Sequence, residues 1–114
     1  MPYIGAHVSV PVSKEKERAL KEKLGQAITL LPGKSETWLM VEFTDNFRLY
    51  FKGDDCQPSA FVEVKLLGRA SAEAYDKLTA AVTEIIGEEL GIAHARIYVK
   101  YEEIETWGWN GRNL

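Results

Sequence analysis

The sequence predicts an α+β fold in which one strand–helix–strand unit occurs twice, at about residues 2–44 and 59–103. Segments that alternate apolar and polar residues, as half-buried strands do, are separated by segments with apolar residues at helical spacing. A shift of 58 positions also superimposes the apolar pattern of the first unit on that of the second. We therefore expect one domain over residues 1–114, a tandem βαβ arrangement with a pseudo-twofold axis.

The first unit begins with an alternating segment over residues 2–10, which predicts a strand. A helix is predicted over 13–31, because Ser13 is a favoured N-cap residue and apolar residues then recur every three or four positions. Gly33 is suited to end this helix. A second alternating segment, 38–44, completes the unit.

The second unit repeats this order with strands over 59–67 and 96–103 and a helix over 71–90. The shift of 58 positions places Ser13 on Ser71 and Gly33 on Gly91, so the signals at the two ends of the helix are repeated too. Between the units, Phe47 to Lys52 alternates and predicts a further short strand. No helical or strand pattern is predicted after residue 103.

Crossovers between parallel strands are nearly always right-handed, so both helices are expected on one face of a four-stranded mixed sheet. The opposite face would combine Trp38, Phe61 and Tyr98 with Glu and Lys side chains. Such a face is too polar for a dry core and too aromatic for free surface. We therefore expect it to contact other subunits.

Composition excludes several classes of function. The chain has 14 basic and 17 acidic residues and a net charge of −3, which disfavours a nucleic-acid partner. It has no apolar run long enough for a membrane span, and its start lacks the pattern of a secretory signal. Cys56 is the only cysteine, and neither His7 nor His94 has acidic or cysteine neighbours at ligand spacing. We expect a cytosolic protein with no membrane partner, metal or cofactor.

Pro2 starts the first strand, and Lys34 lies just before the strand expected to run parallel to it. Parallel strands joined by a crossover start at the same edge of a sheet, so these two residues should be neighbours. If Met1 is removed, Pro2 carries a free secondary amine on a rigid element. A nearby ammonium group and apolar surroundings both lower the pKa of an amine. Pro2 is therefore predicted to act as a base at neutral pH.

Five short motifs follow one another along the whole chain. They are Met1-Pro2, Gly33-Lys34 after the first helix, the strand Val62–Gly68 ending in Leu-Gly, Arg96-Ile97-Tyr98 after the second helix, and Gly108-Trp109-Asn110. Their order and spacing resemble the macrophage migration inhibitory factor family of the tautomerase superfamily, and in particular its microbial members. The resemblance implies that two βαβ units assemble into a homotrimer around a central channel.

The resemblance also implies the roles of Pro2, Lys34 and Leu67. Pro2 matches the catalytic proline of the family, which is exposed once Met1 is cleaved. Lys34 matches the lysine that binds a carboxylate or carbonyl oxygen of the substrate. Leu67 stands where the family has an isoleucine whose backbone contacts the substrate.

Three further substrate-binding residues are implied in the same way. Tyr98 matches a tyrosine that a neighbouring subunit contributes, and Trp107 falls at an apolar position of the pocket. Lys100 stands where mammalian members have an asparagine, and there a second cation would either help to hold an anion or line the channel beside Glu102. The C-x-x-C motif of mammalian members is absent, so its redox activity is not expected here.

The resemblance implies a keto–enol tautomerase that acts on α-keto acids such as phenylpyruvate, with Pro2 as general base. The alternative is a cytokine-like signal that binds a host receptor protein and leaves the cell by a non-classical route. A third class, an RNA-binding domain with the same order of elements, is disfavoured because Glu42, Glu63 and Glu102 share the exposed face.

Overall fold

The computed structural model describes all 114 residues and contains the two repeated units in the expected order. The elements of the first unit are β1 (Pro2–Val8), α1 (Lys14–Ala27) and β2 (Met40–Thr44). Those of the second are β3 (Ala60–Leu67), α2 (Ala72–Leu90) and β4 (Ile97–Ile104). Two very short strands, β5 (Gly108–Trp109) and β6 (Arg112–Asn113), form a hairpin at the C-terminus.

The four long strands form one mixed sheet in the order β2-β1-β3-β4. The outer pairs are parallel and the central pair, β1 with β3, is antiparallel. Tyr3 pairs with Met40 and Phe61 pairs with Tyr98, so both units have the same register of 37 positions. In the central pair, Gly5 lies opposite its own counterpart, residue 63. The predicted pseudo-twofold axis therefore passes through the centre of the sheet.

The two helices begin alike and end differently. The Ser13 side chain accepts a hydrogen bond from the Lys16 N–H, and Ser71 accepts one from Ala74, each at the third position after the cap. Gly91, with a φ of 68°, is the C-cap of α2, whereas α1 ends at Ala27 and passes into a 3₁₀ turn over Ile28–Leu30, so that Gly33, with a φ of 80°, lies beyond the helix that it was expected to end. Neither helix combines the length and apolar character that a membrane crossing requires.

The core lies between the helices and one face of the sheet. It is formed by 19 buried side chains, which include Ile4, Val8, Val62, Val64 and Leu66 from the strands and Leu20, Leu24, Leu78, Val82 and Ile86 from the helices. Burial alternates strictly along β3, which confirms that one face of the sheet is covered. On the other face Met40 and Tyr98 remain 70% and 56% exposed.

Three further expectations about local structure were wrong. The second strand begins at Met40 and not at residue 38, because Glu36–Trp38 forms a 3₁₀ turn. Residues 47–52 form no strand: Phe51 makes only an isolated bridge to Asp54, and a strand needs a partner along its length. The C-terminal segment, expected to be irregular, forms the β5–β6 hairpin around Asn110-Gly111.

Candidate active site

The N-terminus, Lys34 and Leu67 meet at the edge of the sheet where β1 begins and β3 ends. The Leu67 N–H donates a hydrogen bond of 3.1 Å to the Met1 carbonyl oxygen. The Lys34 Nζ donates one of 2.9 Å to the Leu67 carbonyl oxygen. The backbone of Leu67 therefore connects the start of the chain to the lysine that the parallel register brings to this edge.

The terminal amine at this edge is easier to deprotonate than a free one. Partial burial lowers the pKa of the Met1 amine most, the charge of Lys34 lowers it further, and a hydrogen bond with Lys34 adds to this. The nitrogen of Pro2 is in a peptide bond while Met1 is present. Pro2 itself is buried, so it is held firmly by its surroundings.

A cleft of about 590 Å³ opens beside Pro2. The cleft is lined by the starts of β1 and β2, the end of β3, the 3₁₀ turn before β2 and the C-terminal hairpin. The lining residues include Pro2, Tyr3, Trp38, Met40, Lys65, Trp107 and Trp109. The rings of Trp38 and Trp109 meet edge to face, with centroids 5.1 Å apart. This cleft is largely aromatic and can hold a flat apolar group next to the amine.

Tyr3 forms the floor of the cleft on the exposed face of the sheet. Its ring lies over Gly5, where a Cβ atom would be only 2.6 Å from the Tyr3 hydroxyl. The hydroxyl donates a hydrogen bond to Glu42, which together with burial raises the pKa of Tyr3 to about 12. Tyr3 is therefore protonated at neutral pH. The Lys65 Nζ lies 5.5 Å from the centroid of the Tyr3 ring.

Within one chain, Tyr98 and Lys100 do not reach this cleft. Tyr98 lies near the opposite end of the sheet, where its ring contacts Phe51 edge to face at a centroid distance of 5.4 Å. The Lys100 Nζ is 2.8 Å from a carboxylate oxygen of Glu102 and 3.8 Å from one of Glu63. Of the six residues predicted for the site, Pro2 and Trp107 line the cleft, Lys34 and Leu67 contact Met1 or each other at its edge, and these two are remote from it.

The prediction of the site omitted Tyr3, Lys65 and Trp109. The alternation of β1 and β3 places Tyr3 and Lys65 on the exposed face, and it was available from the sequence. Trp109 could have been found from the Asn-Gly turn that follows it, which is a strong signal for a hairpin. No group of three or more His, Cys, Asp or Glu side chains is placed to hold a metal ion.

Comparison with known proteins identifies the family. The model of the macrophage migration inhibitory factor (MIF) family matches residues 1–114. The chain is 28% identical over 119 residues to the MIF-like protein mif-2 of Caenorhabditis elegans, with 100% of this chain and 95% of that protein covered. The tandem βαβ fold with an amine and a lysine at one sheet edge is thus that of the tautomerase superfamily. The chain belongs to the MIF family.

Solved structures agree with this assignment. The crystal structure of Leishmania major MIF2 has a TM-score of 0.92 and 32% identity, covering 100% of this chain and 97% of that one. The MIF homologue from Prochlorococcus marinus has a TM-score of 0.87 and 30% identity, with 97% of both chains covered. The fold expected from the sequence is therefore confirmed over its whole length.

Proposed function

We propose that the protein is a keto–enol tautomerase of α-keto acids such as phenylpyruvate, with the Pro2 amine as general base after removal of Met1. The observation that carries this proposal is the contact of Lys34 and Leu67 with the start of the chain, beside an aromatic cleft. Family membership alone is compatible with an enzymatic or a signalling role. Burial and Lys34 lower the pKa of the Met1 amine, and an environment that disfavours an ammonium group at this edge favours the enzymatic role for the Pro2 amine that removal of Met1 would expose.

The unprotonated Pro2 amine removes a proton from the carbon next to the carbonyl group of the substrate. The electron pair of that C–H bond forms the C=C bond of the enol, and the carbonyl oxygen becomes negatively charged. Lys34 stabilises this oxygen and the neighbouring carboxylate, because a fixed positive charge lowers the barrier most where negative charge develops. The protonated Pro2 amine then gives this proton to the enolate oxygen, which releases the enol and regenerates the base, so the reaction needs no cofactor.

The side chain of the substrate would lie in the cleft formed by Trp38, Trp107 and Trp109. These rings exclude water from the base and bind a flat aromatic group through apolar contact. A phenyl ring next to the keto acid fits this surface.

We also propose a homotrimer in which Tyr98 and Lys100 of one subunit face the site of the next. The strands β2 and β4 are the unpaired edges of the sheet, and Met40 and Tyr98 are exposed near them. Cyclic closure covers such edges without open-ended growth. Light scattering should give about three times the 12.8 kDa chain mass, and a monomer at micromolar concentration would contradict the shared site.

Mixing two inactive variants tests the whole proposal. Pro2→Ala and Tyr98→Ala are unfolded together, refolded and assayed with phenylpyruvate. Mixed trimers would contain some sites with an intact Pro2 from one chain and an intact Tyr98 from another. Activity above that of both refolded parents is the expected result. Full activity of Tyr98→Ala alone would show that Tyr98 has no role, and full activity of Pro2→Ala would contradict the mechanism.

A further inference from the structure

Lys65 differs from most lysines of the chain in having no ion pair. Five others are each paired with a carboxylate: Lys14, Lys21, Lys23, Lys77 and Lys100. Lys65 instead lies against the ring of Tyr3 and lines the cleft beside Pro2. A half-buried cation in an aromatic cleft attracts an anion more strongly than one in open solvent.

One acidic residue beside Lys65 is already paired with another lysine. Glu102 is the register partner of Lys65 on β4, but its carboxylate is 2.8 Å from the Lys100 Nζ. The hydrogen bond and charge of Lys100 are the main causes that lower the pKa of Glu102, and Lys65 contributes only a small part. The positive charge of Lys65 is therefore left mostly uncompensated at the cleft.

Lys65 and Lys34 act at different points of the site. Lys34 donates to the carbonyl oxygen of Leu67, while the Nζ of Lys65 lies above Tyr3. Lys65 and Leu67, to which Lys34 donates, are two residues apart on β3 and are therefore separated by roughly 7 Å. One carboxylate next to the reacting carbonyl can neutralise Lys34 and still leave Lys65 without a partner.

We infer that Lys65 determines specificity for α-keto acids that carry a second anionic group at the far end of the side chain. The keto-acid end binds Lys34 next to Pro2, and the distal anion binds Lys65 over the ring of Tyr3. This inference rests on the proposed tautomerase function and names the substrate class of the same site. Lys65 acts on binding of the substrate and takes no part in proton transfer.

A matched pair of substrates tests this inference: phenylpyruvate and 4-carboxyphenylpyruvate, which differ in one distal carboxylate. The protein without Met1 should prefer the carboxylated substrate by about tenfold in kcat/KM, as one charge-assisted hydrogen bond provides. Lys65→Met should remove this preference, mainly by raising KM for the carboxylated substrate. Lys65→Arg should retain most of it. Lys16→Met is the matched control, since Lys16 is exposed on α1 without an ion pair. It should change kcat/KM for neither substrate.

The outcomes separate the two claims. If phenylpyruvate turns over and the wild type shows no preference, or if Lys65→Met weakens both substrates equally, the inference about Lys65 is wrong and the tautomerase stands. If neither substrate turns over, the proposed function is wrong. Calorimetric titration of wild type and Lys65→Met with 4-carboxyphenylpyruvate then decides the inference: equal affinity for the two proteins overturns it, and binding at least about tenfold weaker for the variant supports it.

Discussion

The two ends of the sheet that the internal repeat makes equivalent have the same backbone and different side chains. At the first end, the Leu67 N–H donates to the Met1 carbonyl over 3.1 Å. At the second, the Ser9 N–H donates to the Ser59 carbonyl over 3.0 Å. Under the shift of 58 positions, Ser9 is the counterpart of Leu67 and Ser59 is the counterpart of Met1. The same parallel register and the same 3₁₀ turn follow at both ends.

The side chains make the cleft larger at the first end than at the second. Ile92 is the counterpart of Lys34 and lies in the core. Arg96 is the counterpart of Trp38, and its guanidinium donates to the Pro58 carbonyl (3.1 Å), to the Ser59 hydroxyl (2.9 Å) and to the Asp54 carbonyl (3.0 Å). Residues 45–58 are thereby held over the second end. A smaller cleft of about 210 Å³, lined by Ala60, Phe61, Arg96 and Tyr98 among others, remains at the second end, whereas the larger cleft of about 590 Å³ lies at the end that has the chain terminus and Lys34.

Exchanging Lys34 and Ile92, which occupy equivalent positions, should have the largest effect, and the effect is on the free energy of unfolding. Ile92→Lys puts an unpaired ammonium group into a site that is 2% exposed, which should lower the free energy of unfolding by about 3 kcal/mol or more. Lys34→Ile should change it by less than about 1 kcal/mol, because Lys34 is only half buried. Urea denaturation measures both, and similar losses would show that the two ends are not distinct.

Pro2→Ala should lower tautomerase turnover by about 100-fold, because the secondary amine is replaced by a less rigid primary one. The matched control is Ala60→Gly at the equivalent position, where no amine is available. This control should cost about 1 kcal/mol of stability and leave kcat of the folded protein unchanged. Steady-state kinetics with phenylpyruvate, after mass spectrometry has established the loss of Met1, distinguishes the two.

Arg96→Met should lower the free energy of unfolding by about 2 kcal/mol, since it leaves the Ser59 hydroxyl and two carbonyl oxygens without their donor. Arg18→Met on the exposed side of α1 is the control and should stay within about 0.5 kcal/mol. Equal midpoints for both variants in urea would mean that Arg96 does not hold residues 45–58.

The smallest effect is expected on the pH dependence of kcat/KM. A base must be unprotonated, so activity rises with pH through the pKa of the Pro2 amine. Burial and Lys34 lower the pKa of the Met1 amine at this edge. We expect them to act in the same way on the Pro2 amine once Met1 is removed, so the rise should lie below the ordinary pKa range for a terminal amine. Lys34→Met removes two of the causes that lower it and should move the rise to higher pH. If the midpoint of the kcat/KM profile of Lys34→Met is unchanged or lies at lower pH, Lys34 is not a cause of the lowered pKa.

The sequence was sufficient for those parts of the molecule that depend on periodicity and topology. Each unit contains the complete apolar pattern and the Ser N-cap of its helix, so the repeat and the helix starts could be predicted. The parallel crossover of the first unit was enough to predict that Lys34 lies near the N-terminus. Residues 47–52 were assigned wrongly because alternation records which side chains could share a face, and a strand also needs a partner. The packing of Tyr3 over Gly5 depends on side-chain rotamers and on Glu42, which is distant in sequence.

Tyr98 and Lys100 show a different limit. Their roles were taken from the resemblance, and a single chain places Tyr98 against Phe51 and binds Lys100 to Glu102. No pattern within one chain specifies which surfaces of two copies meet. Their part in the site therefore stays a prediction that the mixing experiment tests.

The C-terminal hairpin gives the cleft a wall that can open by itself. The strands β5 and β6 form a separate two-stranded sheet, so their separation breaks no hydrogen bond of the main sheet. Isolated hairpins of this length are marginally stable, and such segments open locally at free energies well below that of global unfolding. Amide hydrogens around Trp109 should thus exchange with solvent long before those of β1 and β3.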